Sequence, residues 1–188
     1  MAQERTPPNI RRAARASRTR SLDHARNSRR TAVTQAVTNP AARLSPREQQ
    51  IFEYLADGSS LAEVGLRLGI RQNTVQSYLS LAKLKLGAKS ENAAALAAAY
   101  ALGGLPQPKP LDPSELSLPR EQLALVPLLA QGMRVSQMAS VLKRPVSIIR
   151  RDARGLMKNL RARNAAQTVK RTWQYQLLTA DQVLEWLT

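Results

Sequence analysis

Apolar residues in this chain recur at helical spacing, not at the alternation of a strand. From Arg71 to Leu86, Val75, Tyr78, Leu79, Ala82 and Leu86 stand at i, i+3, i+4, i+7 and i+11, one stripe of an α-helix. Three further helices are predicted around it. Ser45 is an N-cap, Pro46 suits the first helical position, and Glu48 completes a capping box; the helix turns Ile51, Phe52 and Leu55 inward and stops at Gly58. A short helix from Leu61 to Leu68 presents Leu61, Val64 and Leu68 and ends at Gly69, where positive φ permits a sharp turn. After Gly87, a run from Glu91 to Leu102 is nearly all Ala, with Leu96, Tyr100 and Leu102, and Gly103-Gly104 stops it.

The pattern then returns. LADG at Leu55–Gly58 meets LAQG at Leu129–Gly132, and VGLRLGIRQNTV at Val64–Val75 meets MASVLKRPVSII at Met138–Ile149, both at one common offset. LSPRE at Leu44–Glu48 meets SLPRE at Ser117–Glu121 at an offset shorter by a single position. One residue has been added inside the second copy's first helix, where Pro127 also removes a hydrogen bond, so a kink or bulge is expected near Leu123–Pro127. The fourth helix of this copy is expected from about Ala165 to Leu178. A last helix follows the Thr179–Gln182 capping box, with Val183, Leu184, Trp186 and Leu187 on its apolar side, as core cover or as a docking helix.

The fold class expected is therefore all-α, with two tandem four-helix helix-turn-helix domains. Residues 44–104 form the first domain, 105–115 a Pro-rich, semi-rigid linker, and 116–188 the second domain with its C-terminal helix. Domains of roughly 60 residues bury only about 60% of their unfolded-chain surface, so each is marginal alone.

Charge changes the picture. Lys and Arg number 29 against 13 Asp and Glu, a net +16 that favours a polyanionic partner. Residues 1–43 hold ten Arg and two acids without an apolar pattern, and are expected to be a disordered basic arm. Its Arg11, Arg12, Arg15, Arg18 and Arg20 are candidates for non-specific nucleic-acid contact, the alternative being a solvated tail. Residues 64–90 carry no acid, and the polar face of the third helix displays Gln76, Ser77, Ser80 and Lys83. Cysteine is absent, which excludes disulfides and thiolate metal sites. The longest apolar run, Ala93 to Leu102, is half of what a bilayer span needs, no secretory signal follows Met1, and Pro7 and Pro8 argue against an organellar leader. No membrane association is expected.

A short helix, a tight turn and a longer helix with a polar outer face make the helix-turn-helix plan. The major groove admits one helix, and the shorter helix props it at an angle. Amides and hydroxyls can meet base edges, whereas carboxylates would be repelled by phosphates. An ordinary solvated face is the alternative.

At this point the chain resembles a family. Leu44 to Ser90 is similar to the DNA-binding domain of LuxR/FixJ-type bacterial transcription regulators in its L-S-P-R-E opening, Gly58, Glu63, the L-G-I turn, Thr74-Val75 and K-L-G at Lys85–Gly87. The second copy keeps P-R-E, A-x-G and the helix spacing, but has Leu118 in place of the Ser45 cap and loses L-G-I and T-V. The resemblance implies that the third helix docks in the major groove. Gln76, Ser77 and Ser80 would then stand at base-reading positions, Gln72, Asn73 and Thr74 near phosphates, and Lys83 and Lys85 beside them. The corresponding residues of the second copy are Arg150, Arg151 and Arg154, with Arg144 and Lys158 nearby, as guanine readers or phosphate anchors. The chain departs from the family at Arg71 and Pro145, where a Ser cap is usual, and at Tyr78 and Asp152, where His is usual. The arm is too short to be the receiver or ligand-binding domain that usually precedes this module. Fourth helices often make the family's dimer contact, so those of the two copies are expected to pack near Tyr100 and Trp173 as a pseudo-dimer; the alternative is that each caps its own core.

The expectation is a double-stranded-DNA-binding transcription regulator of the bacterial cytoplasm and nucleoid, reading two adjacent half-sites, with RNA polymerase or a second copy as further partners. An architectural or replication protein of a plasmid, phage or chromosome fits the same residues, as does a sigma-factor-like or RNA-binding adaptor. No enzyme, cofactor or metal is expected: His24 is the lone histidine, Ser80-x-x-Lys83 lacks companion motifs, Gly103-Gly104 is no phosphate loop, and the acids are scattered.

Overall fold

A computed structural model of the protein describes residues 43–88 and 91–187. Arg11, Arg12, Arg15, Arg18 and Arg20, and the arm of residues 1–43 up to residue 42, lie outside the described residues. Every element among the described residues is helical, and no helix among them is long and apolar enough to cross a membrane.

The first half folds as four helices: α1 Pro46–Ala56, α2 Leu61–Leu68, α3 Gln72–Lys85 and α4 Asn92–Ala101. The Ser45 capping box forms, with Glu48 Oε2 accepting from Ser45 N at 2.6 Å and Ser45 Oγ accepting from Glu48 N at 3.4 Å. Ser60 and Glu63 make a second box that starts α2. Gly69 ends α2 at φ 65°, turning the chain into α3. Ile51, Phe52, Val64, Val75, Leu79 and Ala82 fill the space between α1, α2 and α3.

The second half begins, after a 3₁₀ turn at Pro113–Glu115, with α5 Arg120–Leu123 and α6 Leu125–Ala130, and continues with α7 Val135–Leu142, α8 Val146–Asn159, α9 Ala165–Gln174 and α10 Ala180–Leu187. The expected interruption falls at Ala124, because Pro127 has no N–H to offer the Leu123 carbonyl. Helix α9 stops at Gln174, short of the expected Leu178. Gln176 takes φ 56° and Leu177 N donates back to Thr172 O at 2.9 Å, a left-handed helix end built without glycine. Leu178 then turns into the core instead of extending the helix. Thr179 and Gln182 cap α10, whose Val183 is buried on the side packed against α4.

The halves do not stand apart. One apolar cluster runs through both, and its centre is α4, on which every residue from Ala93 to Tyr100 is buried. A helix made mostly of Ala lets neighbours approach closely on every side, and α6, α9 and α10 of the second half all pack on it. The packing crosses between the halves: α4 lies on α6, and α9 lies on α1 as well as on its own half's α6. Tyr100 and Trp173 meet where α4 crosses α9, ring centres 5.3 Å apart.

Two glycines stand where the halves approach. A Cβ on Gly58 would come within 2.5 Å of Gln167 Oε1 at the start of α9, and one on Gly132 within 2.9 Å of Glu91 Cβ at the start of α4. Both also hold positive φ, 89° and 73°. A half of this size buries only about 60% of the surface its unfolded chain exposes, and a shared core raises that fraction. The Pro-rich segment is tied down as well. Leu111 N donates to Gln174 O, Gln174 Nε2 to Lys109 O, and Trp173 Nε1 to the Gln107 side chain, so residues 107–111 run along α9 instead of swinging as a spacer.

Candidate nucleic-acid interface

Helix α3 is held from beneath by Val75, Leu79 and Ala82, and α2 packs across it. That burial fixes which face points outward. Gln72, Asn73, Thr74, Gln76, Ser77 and Ser80 are all exposed, while Tyr78 is half-buried at the edge of the core. The hydroxyl of Ser77 donates to Asn73 O at 3.1 Å and that of Ser80 to Gln76 O at 3.0 Å. Both serines therefore present an acceptor outward, suited to an amino donor on a base edge. The Gln76 side chain makes no hydrogen bond among the described residues, so its amide keeps both a donor and an acceptor.

Two cations expected on this face are held differently. Lys85 Nζ lies 2.8 Å from both carboxylate oxygens of buried Glu48. It ties the end of α3 to the start of α1, its ammonium paired with that carboxylate while its side chain stays 39% exposed. Burial works against the Glu48 charge, but Lys85 and the Ser45 amide and hydroxyl outweigh it and hold the carboxyl below its ordinary value. Lys83 is half-buried; burial lowers its ammonium from the ordinary value, and Glu91 opposes that shift.

Helix α8 repeats the arrangement. Ile149 and Leu156 point inward and Arg150, Arg151, Arg154 and Lys158 outward. Asp152, at the place of Tyr78, is turned away from the outer face. Its Oδ2 accepts from Arg144 at 2.7 Å and its Oδ1 from Arg151 at 3.3 Å. Arg144 therefore closes the turn onto α8 through Asp152. A buried carboxylate without a partner would be strongly destabilising, so this pair is what allows an acid on the helix.

The two exposed ridges correspond position by position under the offset of the repeat. Gln76, Ser80 and Leu84 on α3 match Arg150, Arg154 and Lys158 on α8. One ridge is neutral and can hydrogen-bond; the other is a row of cations at i, i+4 and i+8. The first also carries apolar side chains, with Leu81 and Leu84 on α3 and Leu66 on α2 strongly exposed. The helical stripe read from the sequence assigns these leucines no role.

Residues 42–98 match the family described as "Bacterial regulatory proteins, luxR family", which makes this part of the chain a LuxR-type helix-turn-helix domain. The chain is similar to the "Probable HTH-type transcriptional regulator GfsR" of Streptomyces halstedii, with 37% identity over 59 residues, 31% of this chain and 24% of that protein. It is also similar to the "Transcriptional activator protein BjaR1" of Bradyrhizobium diazoefficiens, with 41% identity over 49 residues, 26% of this chain and 20% of that protein. The match thus spans about a quarter or less of the length of these curated relatives. No solved structure matches the chain.

Proposed function

We propose that this chain, with its LuxR-type module at residues 42–98, is a double-stranded-DNA-binding transcription regulator that reads two adjacent half-sites as a single polypeptide. The observation that carries the reading is the crosswise packing of α4 on α6 and α9 on α1, centred on Tyr100 and Trp173. It joins the fourth helix of each half to the first helix of the other, which supports reading the chain as a pseudo-dimer that carries α3 and α8 on one body. A palindromic operator mirrors two-fold protein symmetry; a pseudo-dimer with unlike ridges calls for unlike half-sites. The α3 ridge reads base edges through Gln76, Ser77 and Ser80, with Gln72, Asn73 and Thr74 against the backbone. The α8 ridge contributes Arg150, Arg151, Arg154 and Lys158, and supplies more of the affinity. The chain acts by binding, without catalysis, in the bacterial cytoplasm, with RNA polymerase as the downstream partner.

The cationic α8 ridge favours a second reading, an architectural or replication protein that coats DNA. A salt titration with selected and scrambled duplexes separates the two. A regulator retains a specificity ratio of about 10³ or more at physiological salt. A coating protein binds both duplexes alike and loses both with the same steep salt dependence.

A further inference from the structure

Between the halves lies an open cavity of about 620 Å³, within the usual range of small-molecule pockets. Its walls come in pairs related by the offset of the repeat: Ser59 and Met133, Leu61 and Val135, Glu91 and Ala165. The cavity is thus walled by both halves, and its two walls differ in chemistry. The second half supplies Met133, Met138 and Met157, three of the chain's four methionines, together with alanines. Thioether walls adapt to an apolar body of loosely defined shape. The first half supplies the hydroxyls.

One of those hydroxyls lacks a partner. Ser59 is 1% exposed and its Oγ has no hydrogen bond among the described residues. A buried hydroxyl left this way is a cost unless something is to be bound there. Its neighbours are not in that position: Ser60 Oγ accepts from Glu63 N, and Asn164 Oδ1 accepts from Gln167 N. The first turns of α2, α4, α7 and α9 also all border the cavity. Neither the Glu91 nor the Arg134 side chain caps its helix, and Gln137 Oε1 accepts only the Arg134 N–H, so first-turn N–H donors remain there and the helix dipoles add positive potential. The one carboxylate in the lining, Glu91, faces Arg134 across the mouth at 3.7 Å.

We propose that this cavity is a binding site for a small amphipathic carboxylate, its head held by Ser59 and the helix N-termini and its alkyl body lying against Met133, Met138 and Met157. Because the walls belong to different halves, an occupant braces their packing and so sharpens the preference for the one half-site spacing the chain accepts. That regulatory consequence rests on the proposed DNA-reading function; binding itself does not.

The test is methyl-labelled methionine NMR on the full chain, titrated with octanoate, decanoate and dodecanoate and with the matched alcohols. Saturable shifts of the three cavity methionines without a shift of Met1, and carboxylates about tenfold or more tighter than alcohols, support the site. Ser59→Ala is expected to weaken the carboxylate about tenfold or more. It should leave the unliganded Tm unchanged or raise it by about 2–4 °C, because an unsatisfied hydroxyl is removed; a serine with only a structural role would lower Tm instead. Ala153→Met, which narrows the cavity from α8, should block binding in the same assay. The proposal is overturned if the three signals stay still at millimolar ligand, if Met1 shifts with them, or if acids and alcohols bind alike. Electrophoretic mobility on duplexes of varied half-site spacing, with and without decanoate, then reads the regulatory arm. Methionine shifts with no DNA binding at all would reject the DNA-reading function while leaving the site standing.

Discussion

Glu48 shows how one side chain can serve two elements of a fold. Its carboxylate caps α1 and holds Lys85 at the end of α3, so it locks two helices together. Its folded pKa lies below the ordinary 4.5, so its contribution is full above that value and is lost as pH falls through the folded pKa. Glu48→Gln should therefore destabilise the protein by about 1–3 kcal/mol at pH 7 and by much less at pH 3, as read by urea denaturation at both pH values. At the reading face, Gln76→Ala should relax preference at one base pair by about 1–3 kcal/mol and leave binding to scrambled duplex unchanged. The capping residue Ser45 and the turn residue Gly69 were legible in the sequence because each acts on its own stretch of backbone. The Lys85–Glu48 pair was less so: its partners are far apart in the chain, and a cation's spacing does not say whether it faces solvent or an acid.

Helix boundaries followed the same rule. Leu61–Leu68 forms where Ser60 and Gly69 punctuate the chain, and the break at Ala124 follows from Pro127. The α9 end was missed because Gln176, not glycine, takes the left-handed position. Element-scale chemistry distinguishes the two ridges. In the double variant Arg150→Ala/Arg154→Ala, phosphate anchoring predicts weaker binding to all duplexes alike, with the slope of log affinity against log salt shallower by about 1 for each arginine removed. The corresponding Gln76→Ala/Ser80→Ala pair should leave that slope in place. Salt titrations of both variants in parallel measure the contrast.

At the scale of the whole molecule, the all-helical order was legible but its assembly was not. Matching LADG with LAQG predicts a recurring helix order, and that order is the same whether each fourth helix covers its own half or the other. Gly58 and Gly132, pressed against α9 and α4, are the residues that record the exchange. Because α4 lies under both halves, calorimetry should show one cooperative transition with equal calorimetric and van't Hoff enthalpies, where a loose tandem would show two. The central claim is that one chain presents two reading helices in fixed relation. Selection of bound sequences from a randomised duplex pool, with the protein-to-DNA ratio of the selected complex read by native mass spectrometry, tests it most directly. The account predicts two unlike half-sites at one fixed spacing, held by a single chain. A lone half-site under one chain, or two chains on a bipartite site, would contradict it.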